Sequence, residues 1–355
     1  MRRTVSLVTL ALCVANGSLA LAQSPPPTRS IAFTTTEGTW LSLDVAPDGQ
    51  RLVFELLGDL YAMPVTGGAA RRLLAGSAFE SQPRYSPDGT SLVYISDASG
   101  SDNVWIANAD GSAPKRLTSR SRANMQSPAW SADGRSIFVT MIEARAAEIW
   151  RVDVATGAES KVVENGNGQA APLVSSPMPG AYSAMPSIDG SQLYYTSVTP
   201  RVYGSRNGAI SSIMRRQVTG GGAERLALEG VSPMKPAVSR DGRWLVYVCT
   251  YEGVTALKVR DLRDGSERWL HKALQRNQLE ARADRDVMPN FAITPDGTAV
   301  FIEIDGRIHR LSIADGRDAI VPFSADVAMD MPAPLDFPQR VDTGDVRARR
   351  IQHVA

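Results

Sequence analysis

An Asp-Gly pair that precedes a short apolar strand returns six times along this chain, at Asp48-Gly49, Asp88-Gly89, Asp133-Gly134, Asp189-Gly190, Asp241-Gly242 and Asp296-Gly297. The clearest copy of the surrounding unit runs from Phe79 to Thr118. Its apolar stretches are brief and rich in aromatic or β-branched residues, and the gaps hold Asp-Gly or Ser/Asp/Gly clusters, so the unit reads as four strands and three turns. Pro87 sets φ, Asp88 offers a side chain to cap the turn, and Gly89 is free to take φ above zero. A small sheet of this kind cannot cover both of its faces until its neighbours stack on it. Six units with a period of about forty residues therefore predict an all-β fold, a six-bladed β-propeller of four-stranded antiparallel blades.

The stretches Gln82 to Gly89, Ser127 to Gly134 and Lys115-Arg116-Leu117-Thr118 carry a further signal. Their pattern resembles the WD40-like repeat of TolB-type propellers, with weaker copies over residues 40–323 and the largest departure at Ser187-Ile188-Asp189-Gly190. Phe54 to Tyr61 and Phe79 to Pro83 are similar to the propeller region that precedes the catalytic domain in secreted bacterial amidohydrolases. The resemblance implies a non-catalytic periplasmic module, the N-terminal part of such an enzyme, acting in docking or substrate access beside a hydrolase domain in cis. A second implication stays open: a stand-alone TolB-like propeller that holds a periplasmic protein or peptide.

Residues 1–22 read as a signal peptide, with Arg2 and Arg3 ahead of an apolar run too short to span a bilayer, and Ala20-Leu21-Ala22 before Gln23. Residues 23–36 form a leader and a possible closing strand, 37–323 the propeller, and 324–355 a linker with the start of a further, truncated repeat. Val354-Ala355 matches Val45-Ala46, which leads directly into Pro47-Asp48-Gly49, so a longer polypeptide is expected. Two segments compete for the outer edge of the sixth blade: Ile31-Ala32-Phe33 and Ala319-Ile320-Val321.

The chain has 38 Lys and Arg against 37 Asp and Glu, and loss of Arg2 and Arg3 with the signal leaves 36 against 37. Such a balance offers no field for nucleic acid or an anionic membrane. Of the two cysteines, Cys13 lies in the signal and Cys249 in a strand, where it reads as a small core side chain. No catalytic, cofactor-binding or metal residue is assigned. There is no G-x-S-x-G, and His271, His309 and His353 stand apart without metal-ligand spacing. Gly166 to Ala171 fits a dinucleotide fingerprint only formally, since Pro172 follows and no βαβ pattern surrounds it. The loop from Asp97 to Asn103 reads as a polar hairpin, with calcium ligation as the lesser alternative.

Strand parity puts the turns after the first and third strands of each unit on one face, and the loops after the second strand and between units on the other. The second set holds the insertions, at 141–147, 164–182, 198–209 and 271–287. The working surface is therefore expected on the decorated face, around an axial funnel. The insertion from His271 to Val287, with Arg276, Glu280, Arg282, Asp284, Arg285 and Asp286, reads either as a solvated helical cap or as a charged docking element.

Overall fold

The computed structural model describes residues 29–143, 146–164, 179–199, 210–279 and 285–331. Strand β1 (Arg29–Thr35) comes first. The first repeat follows as β2 (Leu43–Val45), β3 (Arg51–Leu56), β4 (Asp59–Pro64) and β5 (Gly68–Leu74). The second comprises β6 (Glu80–Tyr85), β7 (Ser91–Ser96), β8 (Asn103–Asn108) and β9 (Lys115–Arg116). The third is β10 (Asn124–Trp130), β11 (Ser136–Glu143), β12 (Ala146–Asp153) and β13 (Glu159–Val163). In the fourth lie β14 (Gly180–Pro186), β15 (Gln192–Thr199), β16 (Ile210–Gln217) and β17 (Glu224–Arg225). The fifth holds β18 (Val231–Val238), β19 (Trp244–Tyr251), β20 (Val254–Asp261) and β21 (Glu267–Leu274). The sixth holds β22 (Ala292–Ile293), β23 (Ala299–Ile304), β24 (Arg307–Ser312) and β25 (Asp318–Val321), and β26 (Phe323–Met331) ends the series.

Within each repeat the four strands pair antiparallel in chain order. The first strand of each repeat touches the first strand of the next, and β2 returns to touch β22, so the inner strands close a ring. This is an all-β propeller. Hydrogen bonding divides it into five sheets rather than the six expected from sequence, because one parallel bridge, Ala147 to Gly180, joins the third and fourth repeats into a single eight-stranded sheet. The core fills the spaces between neighbouring sheets: Val93 and Ile95 pack with Ile137 and Val139, and Val246 and Val248 with Val300 and Ile302. Second strands such as β3 and β7 are buried on both faces, which is why they read as unbroken apolar runs.

The competition for the last outer edge resolves in favour of Ala319 to Val321, which lie in β25 and pair with β24. Residues 324–331, read from sequence as the start of a linker, belong instead to β26. It runs parallel to the outer edge of the first repeat, Phe323 to Ala325 opposite Gly68 to Ala70, and β1 adds outside it, with Thr34 donating to Asp326 at 2.6 Å. Chain contacts separate a main unit, residues 32–328, from a second that contains residues 29–31 and 329–331, where Ser30 bonds to the Asp330 carboxylate. The expected signal at 1–22, the segment 332–355, His353 and the Gly166 to Ala171 stretch lie outside the described residues.

Candidate functional site

Four inner strands break their ladder at the same point. The pairing register jumps between Ser81 and Arg84, Gln126 and Ala129, Tyr182 and Met185, and Met234 and Ala237. At each bulge one non-glycine residue takes positive φ: Gln82 (55°), Ser127 (51°), Ser183 (53°) and Lys235 (54°). Such a conformation costs about 1–3 kcal/mol, so the surroundings must hold it in place. They do so by taking the freed backbone N–H. Gln82 donates to Glu55 Oε2 at 2.5 Å, Ser183 to Thr140 Oγ1 at 3.0 Å and Lys235 to Thr196 Oγ1 at 2.9 Å. Glu55, Thr140 and Thr196 occupy the same register position, three residues after Leu52, Ile137 and Leu193. The third repeat differs, because Ile95 stands at that position in the repeat before it. There Ser127 N donates to the side-chain carbonyl of Gln82 at 2.6 Å.

The side chains at these bulges meet Asp286 at the axis. Lys235 forms an ion pair with the Asp286 carboxylate, with side chains 4% and 1% exposed, and Ser127 donates to the same oxygen. Ser183 reaches the second oxygen at 3.4 Å, and the Val287 N–H donates to it at 2.6 Å. The preceding residue continues the closure: the Arg285 carbonyl accepts from Trp40 Nε1 at 3.4 Å and from Gln82 Nε2 at 3.5 Å, while its guanidinium lies over the Phe79 ring. One dipeptide from the link into the sixth repeat thus touches residues of the five others and seals the axis on the decorated face. Burial pulls the Lys235 pKa down against the opposing attraction of Asp286, and it pushes the Glu55 carboxyl up to about 8.

The opposite end is open. A funnel of about 170 Å³ is lined by Arg84, Trp130, Met185, Ile188, Arg240 and Phe291 among others, and Pro87, Ala132 and Ile188 place its mouth among the tight turns. Arg84 guards its floor, with Nη1 donating to Asp44 Oδ1 and to the Phe291 carbonyl, each at 3.2 Å. Below lies a neck of about 10 Å³ between Arg84, Ser127, Ser183, Lys235 and Asn290. Arg240 crosses the mouth to the Pro87 carbonyl at 3.2 Å.

The expectation of an axial funnel on the decorated face is corrected accordingly. Among the described residues the funnel opens on the tight-turn face, and a separate cavity of about 790 Å³ on the decorated side lies beside Trp40, Leu57, Gln275 and Glu303. The helical-cap reading of the charged insertion is corrected over its described residues, while Glu280, Arg282 and Asp284 lie outside them. His271 to Leu274 belong to β21, the described residues 275–279 and 285–287 hold no helix, and Asp286 is an axial residue rather than a surface charge. The histidines do not all stand apart: His309 Nδ1 lies 2.7 Å from Asp318 and His271 Nε2 lies 4.0 Å from its other oxygen. In the Asp97 to Asn103 loop the polar groups serve separate partners, Asp97 taking the Phe79 N–H and Asp102 the Asn124 amide. Cys249 is fully buried, as expected, and burial pushes its thiol up to about 11. Among the described residues no group of three or more His, Cys, Asp or Glu is placed to hold a metal ion.

The family model described as the Tricorn protease N-terminal beta propeller domain matches residues 44–207. In the solved structures, TolB from Acinetobacter baumannii superposes with a TM-score of 0.60 at 17% identity, covering 81% of this chain and 65% of that one. The putative TolB from Agrobacterium tumefaciens gives 0.56 at 19% identity, covering 76% and 95%. The fold is that of a TolB-like propeller. Of the curated relatives, Tricorn protease homolog 1 of Streptomyces coelicolor is 36% identical over 94 residues, 26% of this chain and 9% of that protein. The Tol-Pal system protein TolB of Desulfotalea psychrophila is 26% identical over 95 residues, 27% of this chain and 22% of that protein. The matched stretch is thus a small part of each relative's own length.

Proposed function

We propose that this TolB-like chain is a non-catalytic propeller of six blades, each repeat counting as one, exported to the periplasm by a signal at residues 1–22. Its axial funnel binds an extended protein or peptide segment. A hydrolase domain of the amidohydrolase class, carried in cis, is the partner it serves in docking or substrate access. The observation that carries this reading is the blind-ended funnel: residues from all six repeats converge on its wall, and Arg285-Asp286 closes its far end. A closed axis suits holding a segment better than passing it through. The similarity of Phe54 to Tyr61 and Phe79 to Pro83 to the amidohydrolase-associated propellers supports the choice of hydrolase.

The test is a paired assay on the purified chain. Extended peptides are expected to bind while amide and ester substrates remain uncleaved with or without added zinc. Metal-dependent turnover by this chain would contradict the non-catalytic reading, and failure to retain any peptide would contradict the binding one.

A further inference from the structure

The funnel ends in hydrogen-bond donors that have nothing to donate to, and this decides what chemistry it accepts. Nε of Arg84 is buried without a partner, and so is Nδ2 of Asn290, a residue 1% exposed. Both side chains line the neck, and Arg84 lines the funnel above it as well. A buried donor left unpaired costs about 1–3 kcal/mol, so two at one constriction mark a place for an acceptor. The neighbouring carboxylates are already committed. Asp44 gives Oδ1 to Arg84 and takes the Tyr85 N–H at 2.9 Å on Oδ2, while Asp286 is held by Lys235, Ser127, Ser183 and Val287. Arg240 leaves a further, exposed cation at the mouth.

We propose that the funnel recognises a carboxylate, carried on the C-terminus or on an acidic side chain of the bound peptide, with Arg84 Nε and Asn290 Nδ2 as its donors and Arg240 as the charge that steers it in. This rests on the reading of the funnel as a peptide site. A neck of about 10 Å³ admits a single small atom, so one carboxylate oxygen enters it while the rest of the ligand lies against Trp130, Met185 and Phe291. Donors flanked by a guanidinium favour an anionic acceptor over a neutral carbonyl, since charge-assisted bonds are about twice as strong.

Saturation-transfer NMR on the chain tests this with three probes: N-acetyl-leucine, its neutral amide, and glutamic acid blocked at both ends. The acids are expected to bind about tenfold or more tightly than the amide. Binding by both acids, or by one alone, identifies the carboxylate source. Asn290→Asp is expected to abolish the preference. Arg240→Ala, a change at an exposed site, is expected to weaken acid binding severalfold and to flatten its salt dependence, which keeps the test decisive should Asn290→Asp fail to fold. Equal binding of acid and amide overturns the carboxylate inference and leaves the peptide site standing. An acid preference that survives Asn290→Asp, or a neck holding only a water with the acids present, also overturns it. If neither the probes nor longer peptides bind, the inference and the funnel reading fail together.

Discussion

The recurring turn owes its geometry to two side chains rather than to the Asp-Gly pair alone. Ser86 Oγ donates to Asp88 Oδ1 at 2.6 Å, that oxygen takes the Thr90 N–H at 3.0 Å, and Ser86 Oγ accepts the Ser91 N–H at 2.9 Å. Ser187 and Asp189 repeat the arrangement although Ile188 replaces proline, so the copy that departs most in sequence keeps its structure. This part of the fold was legible because it is local: φ at Gly89 is +73°, as the turn requires. Glu55 shows the opposite case, since nothing in its strand's sequence says that its carboxylate will be buried at an interblade bulge. Its folded-state pKa of about 8 lies above the ordinary 4.5, so the folded chain holds the proton more tightly than the unfolded one. The stability gained from the neutral carboxyl is full at acid pH and is lost as pH rises from 4.5 through about 8. Denaturation of Glu55→Gln is therefore expected to show a flatter pH profile, with the variant gaining on the wild type across that window. Parallel profiles would contradict the assignment.

Alternation or an apolar run marks a strand in the local sequence, but not the distant strand it will pair with. Strand β26, read from sequence as linker, in fact alternates with period two, Phe323, Ala325 and Val327 being buried and Asp326 and Ala328 exposed, and the Phe323 ring lies 5.2 Å from that of Phe54. The first and last parts of the ring are tied there, and a partner some 250 residues away leaves no mark on local sequence. Phe323→Ala is expected to cost about 3–5 kcal/mol in chemical denaturation. A change below about 1 kcal/mol, the scale of an ordinary surface substitution, would mean that β26 is not a structural clasp.

At the scale of the molecule, the repeat pointed to an all-β propeller but not to which end of the axis stays open. That depends on Asp286, which in sequence is one of seven charged residues in an insertion and in the structure is the contact point of Ser127, Ser183 and Lys235. Removing one partner of a buried ion pair costs about 3–5 kcal/mol, because the other charge stays buried alone. Lys235→Met is expected to lose that much, and the double variant Lys235→Met/Asp286→Leu to recover most of it; simple additivity in a double-mutant cycle would deny the coupling. The central claim, a cup entered from the tight-turn face and closed at the other end, is tested most directly by photo-crosslinking bound peptide to a benzophenone side chain placed at one of two exposed sites, Ile188 on the funnel rim or Leu57 on the opposite face. The account predicts crosslinks from Ile188 and none from Leu57, and labelling from Leu57 alone would contradict it.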